Sequence, residues 1–381
     1  MDAMYAIGLW GGLVAAITGY LLIRYKHVHG HLSGDDAGGG PQKFHCSSVP
    51  RIGGVAIFLG FWCAMAMASM KGFFRFQPVL LLFLSSLPVF LGGLVEDFTK
   101  RVGPMARLFL AFVSAGLAFF LLDARLTRLG LPGSAWLLGY APISFAMTAF
   151  AVGGVSNAVN IVDGFNGLSG MVCVMIFTAL GIVCIHLDDT FLFMLCLSAI
   201  ASTLGFLLWN FPKGLIFAGD GGAYFLGFLV GEISVLLLLR HPGISPWLPL
   251  LISGYPVTET LFSIFRRKFL HQEKIDHPDA MHLHQLIYKR MLRKAEFSDD
   301  PRRQALRNAM TSPYLWVLAL CSIVPAVQFW NDPPMLVICA VGFAVLYVRI
   351  YLRIVRFRCP RFLVLRNGFF PGRAVPDKLE P

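Results

Sequence analysis

Long runs of apolar residues alternate along the whole chain with short polar segments. An α-helix needs about 20 apolar residues to cross a hydrocarbon core of about 30 Å. Eleven runs approach that length, and each predicts a membrane-spanning helix. They cover residues 4–24, 53–70, 78–95, 105–122, 138–156, 168–186, 191–211, 219–239, 246–265, 313–330 and 335–352. The pattern therefore predicts an all-α, polytopic integral membrane protein with about 11 transmembrane helices.

Lysine and arginine are distributed unevenly over the segments between these runs. One alternate set of segments holds 27 of the 32 basic residues, and the other set holds five. Those five are Lys71, Arg75, Arg125, Arg128 and Arg240. Because basic residues concentrate on the cytoplasmic side of membrane proteins, the predicted topology has the N-terminus outside and the C-terminus in the cytoplasm.

The composition agrees with a membrane protein and narrows its partners. Hydrophobic residues make up 56% of the chain and charged residues only 14%, well below the charged fraction of soluble domains. The formal net charge is +11, but the basic residues are interleaved with apolar runs. The predicted partners are therefore membrane lipids and phosphate-bearing substrates, and no nucleic acid.

Two adjacent carboxylates end the third apolar run. Glu96 and Asp97 are followed closely by Lys100 and Arg101. Neighbouring carboxylates repel, so such a pair at a helix end favours a divalent cation or a shared proton. The alternative is a solvated helix end whose charge is neutralised by the two basic residues.

A second polar cluster follows the fifth run. Its members recur at every third position: Asn157, Asn160, Asp163 and Asn166. A helical stretch would present them along one side. Gly164 and Gly167 would let the backbone approach a ligand closely. The cluster indicates a phosphate or nucleotide site, with helix capping and interhelical hydrogen bonding as the alternative.

The eighth run opens with the third cluster, Gly219-Asp220-Gly221-Gly222. The free N–H groups and the positive dipole end of a helix N-terminus favour a bound phosphate. Asp220 is either an N-cap or a metal ligand.

The long hydrophilic segment at 267–312 holds the fourth cluster, His282 and His284. No cysteine and no third histidine at ligand spacing completes a zinc site. Arg266, Arg267 and Lys268 lie nearby in sequence, which favours an anion-binding site over a solvated surface loop. The topology was predicted from lysine and arginine alone, and it places all four clusters at the cytoplasmic face.

The order and spelling of these motifs resemble those of a known family. Five motifs match in order between residues 43 and 290: Lys43 with Val49–Gly54, Glu96-Asp97 with Lys100, Asn157–Gly170, Gly219-Asp220 with Gly227, and His282-Leu283-His284. They are similar to the lysine and PRxGG loop, the Asp-Asp pair, NxxNxxDGxDGLxxG, GDxGSxxLG and HLHH of the polyprenyl-phosphate N-acetylhexosamine-1-phosphate transferases, relatives of the phospho-MurNAc-pentapeptide translocase. Four positions depart from the pattern: Glu96, Asn166, Ala223 and Gln285.

The resemblance implies a reaction, its cofactor and its location. An N-acetylhexosamine 1-phosphate would pass from a UDP-sugar to undecaprenyl phosphate with release of UMP, and Mg²⁺, or Mn²⁺ in its place, would bridge the diphosphate. The enzyme would lie in the bacterial cytoplasmic (inner) membrane with its active site facing the cytoplasm. It would start a lipid-linked cell-surface polysaccharide such as the O-antigen of lipopolysaccharide. Residues 1–381 would form a single transmembrane catalytic domain, with 267–312 as its cytoplasmic substrate-recognition loop.

The resemblance also implies a role for each matching residue. Mg²⁺ would bind Asp220 and Asn160. The catalytic carboxylates would be Glu96, Asp97 and Asp163. The residues expected to bind substrate are Lys43, Lys100, Asn157, Asn166, Arg267, His282 and His284.

Two other classes of protein fit part of the pattern. A multi-spanning secondary transporter would keep ionisable residues near the membrane midplane, where this sequence has only Glu232. A structural membrane anchor would have no use for the row of amides. Gly8, Gly11 and Gly12 in the first run permit close helix packing and so a homodimer.

Overall fold

The computed structural model describes residues 2–35, 49–271, 281–292 and 301–358. Within these ranges most of the chain is helical. The first eight helices are α1 (Asp2–Arg24), α2 (Lys26–Ser33), α3 (Gly54–Met70), α4 (Phe76–Thr99), α5 (Pro104–Leu122), α6 (Ser134–Leu138), α7 (Ala141–Val162) and α8 (Leu168–His186). The next eight are α9 (Thr190–Asn210), α10 (Gly219–Arg240), α11 (Trp247–Ile252), α12 (Gly254–Phe265), α13 (Leu283–Arg290), α14 (Pro301–Ala309), α15 (Ser312–Gln328) and α16 (Pro333–Val355).

The remaining regular structure is small. Residues Gly34–Asp35 form β1 and pair antiparallel with β2, residues Val49–Pro50. A single π-helical turn, Arg266–His271, continues α12.

The all-α polytopic fold is confirmed. Nine helices of the described chain are long and apolar enough to cross a membrane. The other two predicted spans correspond to α3, which has 17 residues, and to the segment at 246–265, which is divided into α11 and α12 at Ser253. The number of eleven spans and their orientation remain predictions.

Helix α10 is the centre of the bundle. In the most apolar stretch of α10, 94% of the residues are buried, whereas in that of α16 only 22% are buried. It packs against α3, α4, α5, α7, α8 and α9. Helix α10 has no polar face, as expected for a helix surrounded by others, and Glu232 in its middle is fully buried with neither carboxylate oxygen hydrogen-bonded to any described residue.

Glycines allow three helices to approach α10 closely. A Cβ on Gly54 of α3 would lie 2.3 Å from the Gly222 nitrogen, and a Cβ on Gly93 of α4 would lie 2.5 Å from the Gly221 nitrogen. On the α7 side, a Cβ on Gly227 would lie 2.5 Å from the Ser156 Cα. The acidic ends of α4 and α7 are thereby drawn to the first turn of α10.

The glycines of the first helix serve contacts within the chain. Gly11 faces the Gly60 carbonyl of α3, and Gly12 faces the Ala201 carbonyl of α9. These contacts explain the small residues without a second protomer, so the homodimer stays a prediction with no support from them.

Candidate active site

Asp97 joins the last turn of α4 to the first turn of α10. Its carboxylate is 1% exposed and accepts hydrogen bonds from the backbone N–H groups of Asp220 (2.7 Å) and Gly221 (2.9 Å). A carboxylate at this position satisfies amides that a helix N-terminus leaves free and is favoured by the helix dipole. Gly219 has φ +71°, and a Cβ there would lie 2.5 Å from an Asp97 oxygen, so only glycine fits this junction.

The Asp220 side chain collects one amide and two guanidinium groups. Asn160 of α7 donates to Oδ1 at 2.6 Å, and Arg107 of α5 forms an ion pair with Oδ2 at 2.5 Å. Arg51 lies 3.6 Å from the same Oδ2 and 4.0 Å from Asp97 Oδ1. Two carboxylates and two arginines therefore share one small, largely buried region.

Asp163 ends α7 beside this region. Burial raises its pKa to about 6, against an ordinary value of 3.8; the hydrogen bond from Ser169 lowers the pKa, the charge of Asp220 raises it, and Arg51 lowers it. The fields of Asp220 and Arg51 reach Asp163, so the three aspartates and Arg51 form one electrostatic cluster. The hydrogen bonds from Asp220 N–H to Asp97 and from Asn160 to Asp220 bring three of the predicted motifs together.

The row of amides divides where α7 ends. Asn157 accepts a hydrogen bond from the Tyr224 hydroxyl (3.0 Å), and Asn160 contacts Asp220, so both face α10. Asn166 lies beyond the helix end, is 4% exposed, and donates its side-chain amide to the Pro212 carbonyl at 3.1 Å. The expected single helical row therefore holds for the first two members, and substrate binding by Asn166 stays an untested prediction.

Glu96 and Asp97 are adjacent in sequence but face different partners. Glu96 accepts a hydrogen bond from the Val102 N–H at 2.6 Å and so closes the turn after α4. Lys100 adopts the left-handed conformation at that turn, with φ 54°, and is exposed. The structure brings only Asp97 to α10, and the predicted roles of Glu96 and Lys100 are untested.

The first of the two histidines contacts a buried glutamate, Glu259. His282 Nδ1 lies 3.0 Å from Glu259 Oε1, the Leu283 N–H donates to the same oxygen at 3.2 Å, and the Tyr347 hydroxyl donates to Oε2 at 2.8 Å. The His282 and His284 rings stack with centroids 5.3 Å apart. Glu259 thus fixes the start of α13 and the first histidine.

The histidine segment also contacts the loop after α7. The Phe165 and His284 rings meet edge to face at 5.5 Å, and a Cβ on Gly164 would lie 3.2 Å from His284 Nε2. Arg267 is buried in the π-helical turn after α12. The fourth sequence cluster therefore adjoins the second.

The residues present fit a magnesium ion that also binds substrate. Among the described residues no three histidine, cysteine or acidic side chains form a group that could hold a metal. Asn160 Nδ2 donates to Asp220 Oδ1 at 2.6 Å, so the two side chains are adjacent, and carboxylate and amide oxygens are both ligands for hard cations. Mg²⁺ usually takes one or two carboxylates together with water and substrate phosphates, and this donor set matches that preference.

The site contains residues that motif analysis did not identify as functional. Arg51 belongs to the Val49–Gly54 motif and Arg107 to the 27 basic residues on the predicted cytoplasmic side, but neither was predicted to be a site residue, and both contact Asp220. Arg107 stands in the first turn of α5, so its place at the cytoplasmic end of a predicted span was the available signal. Glu259 and Ser169 gave no signal beyond a polar residue in an apolar run.

Part of the predicted site lies outside the described residues. Lys43 falls in the stretch 36–48, and residues 272–280 and 293–300 of the predicted recognition loop are also outside. The described parts of that loop are the π-helical turn, α13, α14 and the start of α15. Its role in substrate recognition remains a prediction.

Comparison with known proteins places this site in context. The model of glycosyl transferase family 4 matches residues 79–238. A Bacillus subtilis (strain 168) protein named probable undecaprenyl-phosphate N-acetylglucosaminyl 1-phosphate transferase is 30% identical over 251 residues, covering 64% of this chain and 66% of the relative.

Two enterobacterial proteins show a similar likeness. Both are named undecaprenyl-phosphate alpha-N-acetylglucosaminyl 1-phosphate transferase. The Yersinia pestis protein is 30% identical over 262 residues, 65% of this chain and 68% of the relative. The Escherichia coli (strain K12) protein is 28% identical over 256 residues, 65% and 67% of the two chains. The chain thus spans about two thirds of the length of these relatives.

Proposed function

Because this chain belongs to the polyprenyl-phosphate N-acetylhexosamine-1-phosphate transferases of glycosyl transferase family 4, we propose that it transfers N-acetylhexosamine 1-phosphate from a UDP-sugar to undecaprenyl phosphate. A phosphate oxygen of the lipid attacks the β-phosphorus of the UDP-sugar. The bond from that phosphorus to the oxygen of the α-phosphate breaks, and UMP leaves with that oxygen. The product is a lipid diphosphate sugar.

The observation that carries the proposal is the arrangement around the first turn of α10. Asp97 holds the turn through two backbone N–H groups, and Asp220 faces Asn160, Arg107 and Arg51. Phosphoryl transfer needs positioning and positive charge more than covalent chemistry. Fixed guanidinium groups beside a carboxylate that can take a metal supply both requirements.

The chain's own groups divide the work. Arg51 and Arg107 neutralise the negative charge of the two phosphates as they approach each other. Asp163, with its pKa near 6, orients the attacking phosphate and takes its proton when that phosphate arrives singly protonated. Asp97 has both oxygens engaged by α10 and therefore acts by fixing Asp220 in place.

A divalent metal belongs to this scheme as a bound partner. Asp220 and Asn160 would hold Mg²⁺, which supplies positive charge to the diphosphate oxygens. Removal of divalent metal with a chelator is expected to stop UMP release, and Mg²⁺ is expected to restore it. Full turnover after chelation would show that the reaction needs no divalent metal, and the assignment as a transferase would still stand.

The proposed location follows from the multi-pass fold and the basic residues. The enzyme lies in the bacterial cytoplasmic membrane, with its site at the cytoplasmic face where UDP-sugars are present, and it starts a lipid-linked cell-surface polysaccharide. Its use for O-antigen and lipopolysaccharide, and the identity of its N-acetylhexosamine, are predictions of the same kind.

Purified protein in proteoliposomes tests the activity and its substrate together. UMP release is measured with undecaprenyl phosphate and each of several UDP-sugars, including UDP-GlcNAc, UDP-GalNAc and a 6-deoxy amino sugar. The proposal expects metal-dependent, lipid-dependent UMP release with at least one of them. Transmembrane flux of the UDP-sugar without UMP release would instead support a transporter.

A further inference from the structure

The short loop between α7 and α8, residues 163–167, is held by side chains from distant parts of the chain. Four backbone groups of Asn166 and Gly167 have such partners. The Asn166 N–H donates to Asn308 Oδ1 (2.8 Å), the Asn166 carbonyl accepts from Ser312 Oγ (2.6 Å), the Gly167 N–H donates to Asn210 Oδ1 (2.6 Å), and the Gly167 carbonyl accepts from Trp316 Nε1 (3.2 Å). A loop of this length is thus fixed at nearly every polar group of two consecutive residues.

Three of these partners form one stripe. Asn308, Ser312 and Trp316 are four residues apart, so they share one face of the nearly continuous helix Arg303–Gln328. Asn308 is 5% exposed and Ser312 is 0% exposed, and the Trp316 ring packs against Phe211 with centroids 5.1 Å apart. We name Asn308, Ser312 and Trp316 the loop brace.

The opposite side of the loop is held by the end of α9. Asn210 accepts from Gly167, and the Asn166 side chain donates to the Pro212 carbonyl. The loop therefore lies between the end of α9 and the loop brace. Gly167 has φ +73°, a conformation that glycine adopts without strain.

The loop that is held in this way carries part of the candidate site. Asp163 precedes the two braced residues, Asn166 and Gly167. Phe165 lies between Asp163 and Asn166 and contacts His284. Ser169, which follows the loop, donates to Asp163. A shift of the loop would move Asp163 relative to Asp220 and would also move the surface on which His284 rests.

We infer that Asn308, Ser312 and Trp316 are positioning residues of the transfer reaction, since they hold the 163–167 loop so that Asp163 and His284 face the substrate. The inference rests on the proposed function. All three residues lie beyond residues 79–238, the part of the chain that the family model matches. Buried backbone groups that lose a partner move to find another, and displacements of about 1 Å in an active site cost rate by up to about 100-fold.

Ser312 offers the cleanest test because the same helix supplies a matched control. Ser322 is also a fully buried serine of α15, but its hydroxyl donates within its own helix, to the Ala319 carbonyl at 2.9 Å. Ser312→Ala is expected to lower kcat for UMP release per folded protein about tenfold or more, with a larger effect on kcat than on KM. Ser322→Ala is expected to keep the wild-type kcat.

Conservative variants separate positioning from simple loss of structure. Ser312→Thr keeps the hydroxyl donor, and Asn308→Asp keeps an acceptor for the Asn166 N–H, so both are expected to retain most activity. Asn308→Leu lacks the acceptor and is expected to behave as Ser312→Ala does. Trp316→Phe keeps an aromatic ring against Phe211 and loses only the N–H donor. It therefore tests the loop brace if another variant fails to fold.

Two results would overturn the inference. One is wild-type kcat in Ser312→Ala, Asn308→Leu and Trp316→Phe. The other is a loss in Ser312→Ala that equals the loss in Ser322→Ala and follows the amount of folded protein. Absence of UMP release from the wild-type protein would instead refute the proposed function, so the two failures are distinguishable.

Discussion

The three aspartates of the site have different surroundings, and therefore different work. Asp97 is committed to the backbone of α10 through two hydrogen bonds. Asp220 presents its side chain to Asn160 and two arginines. Asp163 accepts a hydrogen bond from the Ser169 hydroxyl, and burial raises the pKa of its carboxyl to about 6.

Asp163 gives the activity a defined pH dependence. If its carboxylate form orients the attacking phosphate, kcat rises with pH through about 6 and levels off above it. Ser169→Ala removes the hydrogen bond that lowers the pKa of Asp163, so the midpoint is expected to move to higher pH. The measurement is kcat from pH 5 to pH 8 for both proteins. An unchanged midpoint in Ser169→Ala would show that the ionisation seen in kcat belongs to a group other than Asp163.

The same shift affects stability in a known direction. The pKa of Asp163 is about 6 in the folded protein, against an ordinary value of 3.8. The folded state therefore holds this proton more tightly than the unfolded chain. The contribution of Asp163 to stability is most favourable below about pH 4, is lost as the pH rises through about 6, and stays lost above it.

Asn166 departs from the family pattern for a visible reason. Its side-chain N–H₂ donates to the Pro212 carbonyl at 3.1 Å, and a carboxylate cannot donate that bond. Asn166→Asp restores the common family residue but is expected to destabilise this protein by about 1–3 kcal/mol, because residue 166 is 4% exposed and a carboxylate there would lose the bond to the Pro212 carbonyl. Thermal unfolding in detergent measures the effect, and an unfolding temperature at or above the wild-type value would contradict it.

Sequence reasoning identified most acidic and amide members of the site but not their counter-ions. Asn160 and Asp220 were predicted to act together, and they are in contact. Arg107 could not be assigned, because no spacing rule relates the first turn of α5 to the first turn of α10. Glu96 shares its motif with Asp97, yet the helix turns its side chain toward Val102; the motif gives the sequence and not the direction.

At the scale of elements, the glycine contacts of α10 place the site. A Cβ on Gly93 would lie 2.5 Å from the backbone nitrogen of Gly221, so Gly93→Ala must push α4 away from α10 and weaken the Asp97 hydrogen bonds. We expect a loss of about 1–3 kcal/mol together with a fall in kcat. Gly154 on α7 has no neighbour within 4 Å of an added Cβ, so Gly154→Ala is the control.

Thermal unfolding and kcat are measured on both glycine variants. If Gly93→Ala has the same stability and kcat as Gly154→Ala, the close contact between α4 and α10 does not determine the geometry of the site. We expect Gly154→Ala to be neutral or slightly stabilising, since alanine is favoured over glycine within helices.

Element boundaries show where the apolar pattern stops being informative. The length of an apolar run indicates whether a segment can cross the bilayer, but it does not indicate whether the helix is interrupted within that run. The segment at 246–265 was predicted as one span but is divided at Ser253. The fifth span was predicted to end at 156, whereas α7 continues to Val162 because Asn157 and Asn160 find partners on α10.

At the scale of the whole molecule, two of the five basic residues on the predicted outer side stabilise the fold. Arg240 forms an ion pair with Asp189 at 2.6 Å. Arg128 donates to the carbonyls of Leu238, His241 and Ile244. Both arginines therefore fix the far end of α10, which explains two exceptions to the distribution of positive charge.

The predicted topology is testable with a membrane-impermeant maleimide. A cysteine at Lys71 is expected to react in intact cells, and a cysteine at Lys268 is expected to react only after permeabilisation. Both positions are exposed, so access to the reagent and not burial decides the labelling. Labelling of the Lys268 position in intact cells would place the site on the wrong side for cytoplasmic UDP-sugars.

The central claim is that the first turn of α10 forms the reacting site. Two buried aspartates test it most directly: Asp220, in that first turn, and Asp189, which pairs with Arg240 at the far end of α10. Asp220 is 6% exposed and Asp189 is 5% exposed. UMP release per folded protein is measured for Asp220→Asn and Asp189→Asn in the same proteoliposomes. We expect a fall of about 100-fold or more for Asp220→Asn and wild-type turnover for folded Asp189→Asn. Wild-type turnover in Asp220→Asn would show that the first turn of α10 is not the reacting site.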